Sequence, residues 1–223
     1  EEAEPVYARI QASAEGALEL VGPTCLQMRS LDMQGRSSEG LTLCVGLLAR
    51  LGLRAPPGFQ DPHQEQRLDA LADWVRQDSQ VDYSQRPQTQ DPRLVGTYQL
   101  LGRMAASAFH CQNVHASTWA LLEGQRLLAE HGPAKDLLGA LGGIGNMLIV
   151  RRQDYRTAYA VVRHIIVLSD SLGPEVHSAA VRLSFYWASC PWIEPIENSL
   201  DQVGRAFAVF QAKGDDPSFG CFF

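Results

Sequence analysis

At 223 residues, with 45% apolar side chains, 12 Pro and 19 Gly, the chain has room for one large domain or a short run of repeats, and its composition excludes a disordered one. A net charge of −6, with basic residues scattered apart from the pair Arg151-Arg152, argues against a nucleic-acid backbone as the main partner. Five cysteines lie far apart with no C-x-x-C pair, which suits reduced thiols in a cytoplasmic protein, and the opening Glu1-Glu2-Ala3-Glu4 is the reverse of a basic signal-peptide start.

Helical periodicity runs through the chain. Residues 5–14 and 16–33 read as a first pair or one interrupted helix, with Leu18, Val21, Cys25, Met28 and Leu31 on one face. Residues 37–52 follow, with Ser37 or Ser38 as N-cap, Leu41, Cys44, Val45 and Leu48 inward, and Gly52 closing. Ala55-Pro56-Pro57-Gly58 is the clearest break; a helix over 63–77 comes next, and then the polar stretch 78–91, read as a loop or mobile connection.

Asp91 then offers an N-cap with Pro92 at the first helical position. The spacing predicts helices over 92–109, 114–131, 133–151, 154–172, 174–190 and 195–213, with stops at His131-Gly132 and Leu172-Gly173 and with Pro133 and Pro174 opening first turns. Short connections force such neighbours antiparallel. Residues 104–122 carry no formal charge, but His110, Gln112, Asn113 and His115 mark two helices and a turn rather than a membrane span. No segment alternates with a period of two, so no sheet is expected.

Two segments can be laid over each other: Arg36-Ser37-Ser38-Glu39-Gly40-Leu41 running to Leu51-Gly52, and Asp154-Tyr155-Arg156-Thr157-Ala158-Tyr159 running to Leu172-Gly173. Each opens on a polar turn, sets a small residue early in a helix and closes on Leu-Gly. Incomplete repetition of this kind predicts an all-α fold, a tetratricopeptide-like α-solenoid of antiparallel helix hairpins wound into a right-handed superhelix. The expected division is a single helical-repeat domain over 1–223, with first repeats in 1–54, an irregular connection with one helix in 55–91, and the main repeats in 92–223. The early helix and the final Phe222-Phe223 suggest a piece of a larger chain.

Chemical motifs are weaker than the packing pattern. The run from Gly139 to Asn146 lacks the Gly-Lys-Ser/Thr of a phosphate loop and the glycine spacing of a dinucleotide fingerprint, so its small residues are read as a close helix approach. His110, Cys111 and His115 make at most half of a zinc site. Asp215-Asp216 lacks the third carboxylate of an acidic metal–diphosphate motif and reads as a turn. No catalytic residue, metal or cofactor is therefore expected. Tyr186, Trp187 and Trp192 cluster around Cys190-Pro191, and Tyr98 and Trp119 fall on other helices. Packing between repeats accounts for such aromatics by default. A ligand- or peptide-holding patch on the concave face would combine Tyr186, Trp187 and Trp192 with Arg151, Arg152 and Arg156.

The stretch from Leu127-Leu128-Ala129-Glu130-His131-Gly132-Pro133 through Gly145 to Gln153-Asp154-Tyr155-Arg156-Thr157-Ala158-Tyr159 resembles the helical region of large bacterial signalling proteins. So do Trp192-Ile193-Glu194-Pro195, Ser199-Leu200, Gly204, Ala206 and Lys213-Gly214-Asp215. In those proteins a tetratricopeptide-like region follows a STAND-type AAA-like ATPase, often with a serine/threonine kinase, a GAF domain and a histidine kinase. The chain departs from the pattern at Pro191 and at Asp216-Pro217. The resemblance implies a non-catalytic regulatory or sensory scaffold that binds a protein partner, a neighbouring domain or a small effector. An effector-binding arm of a STAND-type transcription regulator is the alternative. A stand-alone all-α enzyme is the third reading, and it requires matched carboxylates or histidines on facing helices, which the sequence does not offer.

Overall fold

In the computed structural model, residues 3–78, 88–173 and 176–213 are described, and among them every regular element is helical. The α-helices are α1 (Ala3–Ser13), α2 (Val21–Met33), α3 (Ser37–Arg50), α4 (Gln64–Asp78), α5 (Pro92–His110), α6 (Val114–His131), α7 (Lys135–Leu141), α8 (Gly143–Arg152), α9 (Tyr155–Ser171), α10 (Val176–Ser184) and α11 (Glu197–Lys213). The expected sites at Pro174 and Asp215-Asp216, and most of the polar stretch 78–91, lie outside the described residues.

Local chemistry sets many of the boundaries. Asp91 accepts from the Arg93 amide at 2.9 Å with Pro92 opening α5, as the sequence requires. Two tight turns share one recipe. Gln112 and Gln153 take left-handed backbone (φ 55° and 54°), and the next residue, Asn113 or Asp154, caps the following helix by accepting from Ala116 or Thr157 at 3.0 Å. Gly52, Gly132 and Gly173 close helices at φ of +101°, +89° and +98°, where a side chain would be strained. At the start of α3 the expectation fails. Neither serine caps; Arg36 occupies the capping position without a side-chain capping bond, and Ser37 is already helical and buried.

Residues 133–151 form two helices, not one. The break falls at Gly142, where an added Cβ would lie 3.0 Å from the Ser184 Cβ and 3.2 Å from the Val181 Cα. Glycine here lets α10 press against the joint between α7 and α8. The predicted helix 174–190 likewise ends early as an α-helix. After Ser184 the chain widens into a π-helical turn, Phe185–Ser189, and then tightens into a 3-10 turn, Cys190–Trp192. Pro191 has no amide hydrogen to continue an α-helical ladder.

The helices pack as successive pairs: α2 with α3, α5 with α6, α8 with α9 and α10 with α11. The first helices of three of these pairs also form a row with α7, α5 against α2, α7 against α5 and α10 against α7. One continuous core runs from Leu20 to Cys190, and a smaller one (Ala179, Ala180, Leu183, Ala206, Phe210) seats α11 on α10. Within the larger core, Leu18 leaves the expected face of α2 and is 42% exposed, because it belongs to a separate 3-10 turn, Leu18–Leu20.

Small residues allow the closest approaches. A Cβ on Gly145 would fall 2.3 Å from the Ser189 Oγ and 2.6 Å from the Val162 Cγ2. Ser189 has one rotatable bond to give, but Val162 is buried and stiff. Gly145→Val is therefore expected to destabilise the protein by about 1–3 kcal/mol, as over-packing does. A lowered urea midpoint at unchanged slope checks this.

The helix α4 departs from the pairwise order. It bypasses α5 and lies across α9 and α6, burying Leu68 and Leu71. The Trp74 ring meets His164 edge-on at 5.0 Å, and Phe59, just before α4, sits 6.1 Å from Trp119. Charge completes the attachment: Arg67 donates to Asp61 at 2.8 Å and to Glu123 at 3.1 Å, joining α4 to α6.

Candidate functional site

This row leaves a groove of about 1320 Å³ on its solvent side, lined by α2, α5, α7, α8, α10, the start of α6, the turn after α10 and Phe210 of α11. The packing that makes the row also makes the groove. Gly102 approaches Ala140 and Gly139 approaches Ala180 so closely that added Cβ atoms would lie 3.3 and 3.4 Å away. These positions, with Gly22 and Gly143, line the groove, so its floor carries few large side chains. Larger apolar groups stand along it instead: Leu26, Phe109, Val150 and Trp187 are 68%, 44%, 63% and 54% exposed.

The six candidate residues divide between two places. Arg151 and Trp187 both line the groove. Arg151 also donates at 2.8 Å to Gln64 and at 2.8 Å to Glu65. Arg152 spends its guanidinium on the same helix, bonding Glu65 at 2.5 Å and Asp69 at 2.6 Å. The basic pair is thus the clamp that holds α4, a role local sequence could not disclose because the partners lie more than eighty residues away. Arg156 is exposed. Trp192 stacks on Tyr155 at 4.6 Å, and Tyr186 meets Phe185 edge-on at 5.0 Å, so neither joins the groove lining.

Around Trp192 a polar network ties the turn after α10 to α9. The Tyr159 hydroxyl donates to the Glu194 carboxylate, Arg163 donates to the Tyr159 oxygen at 2.7 Å, and Asn198 donates to Glu194 at 3.2 Å. The Tyr159 hydrogen bond, reinforced by Asn198, holds Glu194 below the usual carboxylate range. The same bond raises Tyr159, so the proton stays on the phenol and the carboxylate stays charged. This arrangement anchors a turn.

Removing the clamp is expected to loosen α4 selectively. Arg152 is largely covered but Glu65 and Asp69 are 61% and 74% exposed, so each pair is worth at most about 1 kcal/mol. Arg151→Ala with Arg152→Ala should accelerate amide exchange within Gln64–Asp78 while the α5 amides stay protected. Uniform acceleration across both helices would show that α4 is not a separate unit.

Cys25 also lines the groove, and burial pushes its thiol up to about 11 despite Arg103 nearby. At neutral pH it is a protonated thiol and a poor nucleophile. Slow alkylation by iodoacetamide at pH 7.5 is expected. The raised value also means that the unfolded thiol ionises first, near pH 9, so the contribution of Cys25 to stability is lost as pH rises from about 9 to about 11.

Among the described residues no group of three or more His, Cys, Asp or Glu side chains is placed to hold a metal ion. No helix among them is long and apolar enough to cross a membrane. No family model, curated protein or solved structure matches this chain.

Sequence reasoning missed most of the groove. Leu26, Phe109 and Val150 are apolar residues off the buried faces of their helices. That off-face position was the available signal, but an isolated exposed apolar residue is ordinary. Their alignment into one groove depends on how the helices are laid side by side.

Proposed function

We propose that this chain is a tetratricopeptide-like α-solenoid acting as a non-catalytic regulatory scaffold, and that its groove holds a segment of a protein partner. The groove itself carries the reading: it runs across a row of four helices, has a small-residue floor, and keeps large apolar side chains exposed. Each helix in the row packs on the next, so small changes in packing angle add along the array. A partner that fits one curvature better than another shifts that population, which is how such a region would bias an attached ATPase or kinase domain in a bacterial signalling protein.

A photo-cross-linking residue placed in turn at Leu26, Phe109 and Val150, in cells that make the protein, tests this reading. Discrete protein adducts from these positions and none from Thr42, an exposed position on α3, are expected. No adduct from any groove position, or equal adducts from Thr42, would overturn it.

A further inference from the structure

We propose that the face of α6 and α9 beneath α4 is an interaction surface for an amphipathic helix of a protein partner, and that α4 occupies it in cis as a releasable strap. Among the described residues, none of α4 or α9 lines the groove, so this face is a second surface. The sequence of α4 has the form of a docked helical ligand. Gln64, Leu68, Leu71 and Val75 follow helical spacing along one face; the first three are buried and Val75 is half-buried. Gln66, Ala70 and Asp73 on the other side are exposed, so α4 packs on one side alone. It docks chiefly on α9 and α6, which come later in the chain, rather than on its neighbours α3 and α5. Glu65 and Asp69 flank the apolar stripe and meet Arg151 and Arg152 of α8.

Three features make this attachment reversible. Just before α4, Gly58 and Phe59 both hold left-handed backbone, at φ of +60° and +57°. Glycine adopts it freely, but an aromatic residue there is strained and stays so only while its surroundings hold it. Within the interface, Gln64 Nε2 and Trp74 Nε1 are buried with no hydrogen-bond partner among the described residues, and release would hydrate both. The carboxylates of Glu65 and Asp69 are mostly exposed, so their pairs with Arg151 and Arg152 are weak and screened by salt. Leu68 and Leu71 hold the strap closed against these costs. The open state is then a minor population, which a competing helix captures. Its chemistry is that of α4: leucines three residues apart, an aromatic residue three further on, and carboxylates on the flank that faces Arg151 and Arg152.

A fluorescein-labelled peptide with the sequence of residues 61–78, added to the full chain, tests the proposal. In the parent the tethered α4 competes at high effective concentration. The variant Leu68→Ala with Leu71→Ala weakens that competitor and leaves the face intact, so it is expected to bind the peptide about tenfold tighter or more than the parent does. A peptide carrying Glu65→Lys with Asp69→Lys should bind the variant about fivefold more weakly at low salt, the gap closing as ionic strength rises. In the parent, amides of Gln64–Asp78 should exchange about a hundredfold faster or more than those of α5. A strap can lose no more than its own attachment, so the α5 amides should stay protected in the variant. Loss of that protection, or equal exchange of α4 and α5 in the parent, would show that α4 belongs to the core and would overturn the strap. No binding to a variant whose α5 amides stay protected, or equal binding to parent and variant, would overturn the docking face.

Discussion

Arg103→Met is expected to lower the unfolding free energy by about 3–5 kcal/mol, one of the two largest single effects in the protein. Asp32 at the end of α2 has a side chain only 4% exposed, and Arg103 on α5 is 13% exposed. One Asp32 oxygen receives both the Arg103 guanidinium and the Ser107 hydroxyl, the latter at 2.9 Å. The other oxygen, Oδ1, is buried and has no hydrogen-bond partner among the described residues, nor has the Arg103 Nε. The carboxylate thus depends on Arg103 for its charge balance, and methionine would leave it buried and uncompensated. Replacing both partners by apolar residues, Asp32→Leu with Arg103→Met, should recover most of the loss, because the desolvation cost of both ions disappears together. Urea unfolding of the single and double variants measures the coupling. A single variant within about 1 kcal/mol of the parent would mean that the pair is solvated in solution.

The second large effect is at Tyr98. Its side chain is fully buried, and its hydroxyl donates to the Leu127 carbonyl at 3.1 Å, pinning the start of α5 to the last turns of α6. Tyr98→Ala should cost about 3–5 kcal/mol, from lost burial and the cavity left behind. Tyr98→Phe keeps the ring and should cost only about 1–1.5 kcal/mol, the net worth of one hydrogen bond. Equal losses in the two variants would assign the whole effect to the hydroxyl. Burial, with Glu130 adding to it, pushes the phenol up to about 12. Its folded-state value is raised, so its contribution to stability is intact below the unfolded value near 10 and is lost as pH rises toward 12. Tyr98→Phe should therefore flatten the alkaline part of the stability profile, which thermal unfolding between pH 9 and 12 would register.

The two effects share an origin in long-range packing, and that is where the sequence was hardest to read. Helix α6, Val114–His131, matches its expected span residue for residue, and Asp91, Gly52, Gly132 and Gly173 start or stop helices where their chemistry requires. Interior faces were legible too: Val21, Met28 and Leu31 on α2, and Leu41, Cys44 and Leu48 on α3, are all buried. The break at Gly142 was not. Its backbone is ordinary right-handed helix (φ −52°, ψ −28°), so what ends α7 there is the approach of Ser184 and Val181 from α10, some forty residues on.

The basic pair makes the same point about the site. Arg151 and Arg152 stood out as a concentration of positive charge, and a free binding patch was the natural expectation. In the fold they meet Glu65 and Asp69 on a helix that leaves the chain's pairwise order to lie over α6 and α9. Only Arg151, with Trp187, reaches the groove.

By itself, then, the sequence determined an all-helical chain, most of its helix ends and which faces turn inward, because those follow from hydrogen bonds and side-chain periodicity within about four residues. Tertiary structure alone decided where α4 docks, which arginines remain at the groove, and that the groove exists at all. Those outcomes depend on side chains brought together from distant parts of the chain, such as Arg152 with Glu65 and Gly102 with Ala140. A one-dimensional period carries no record of them.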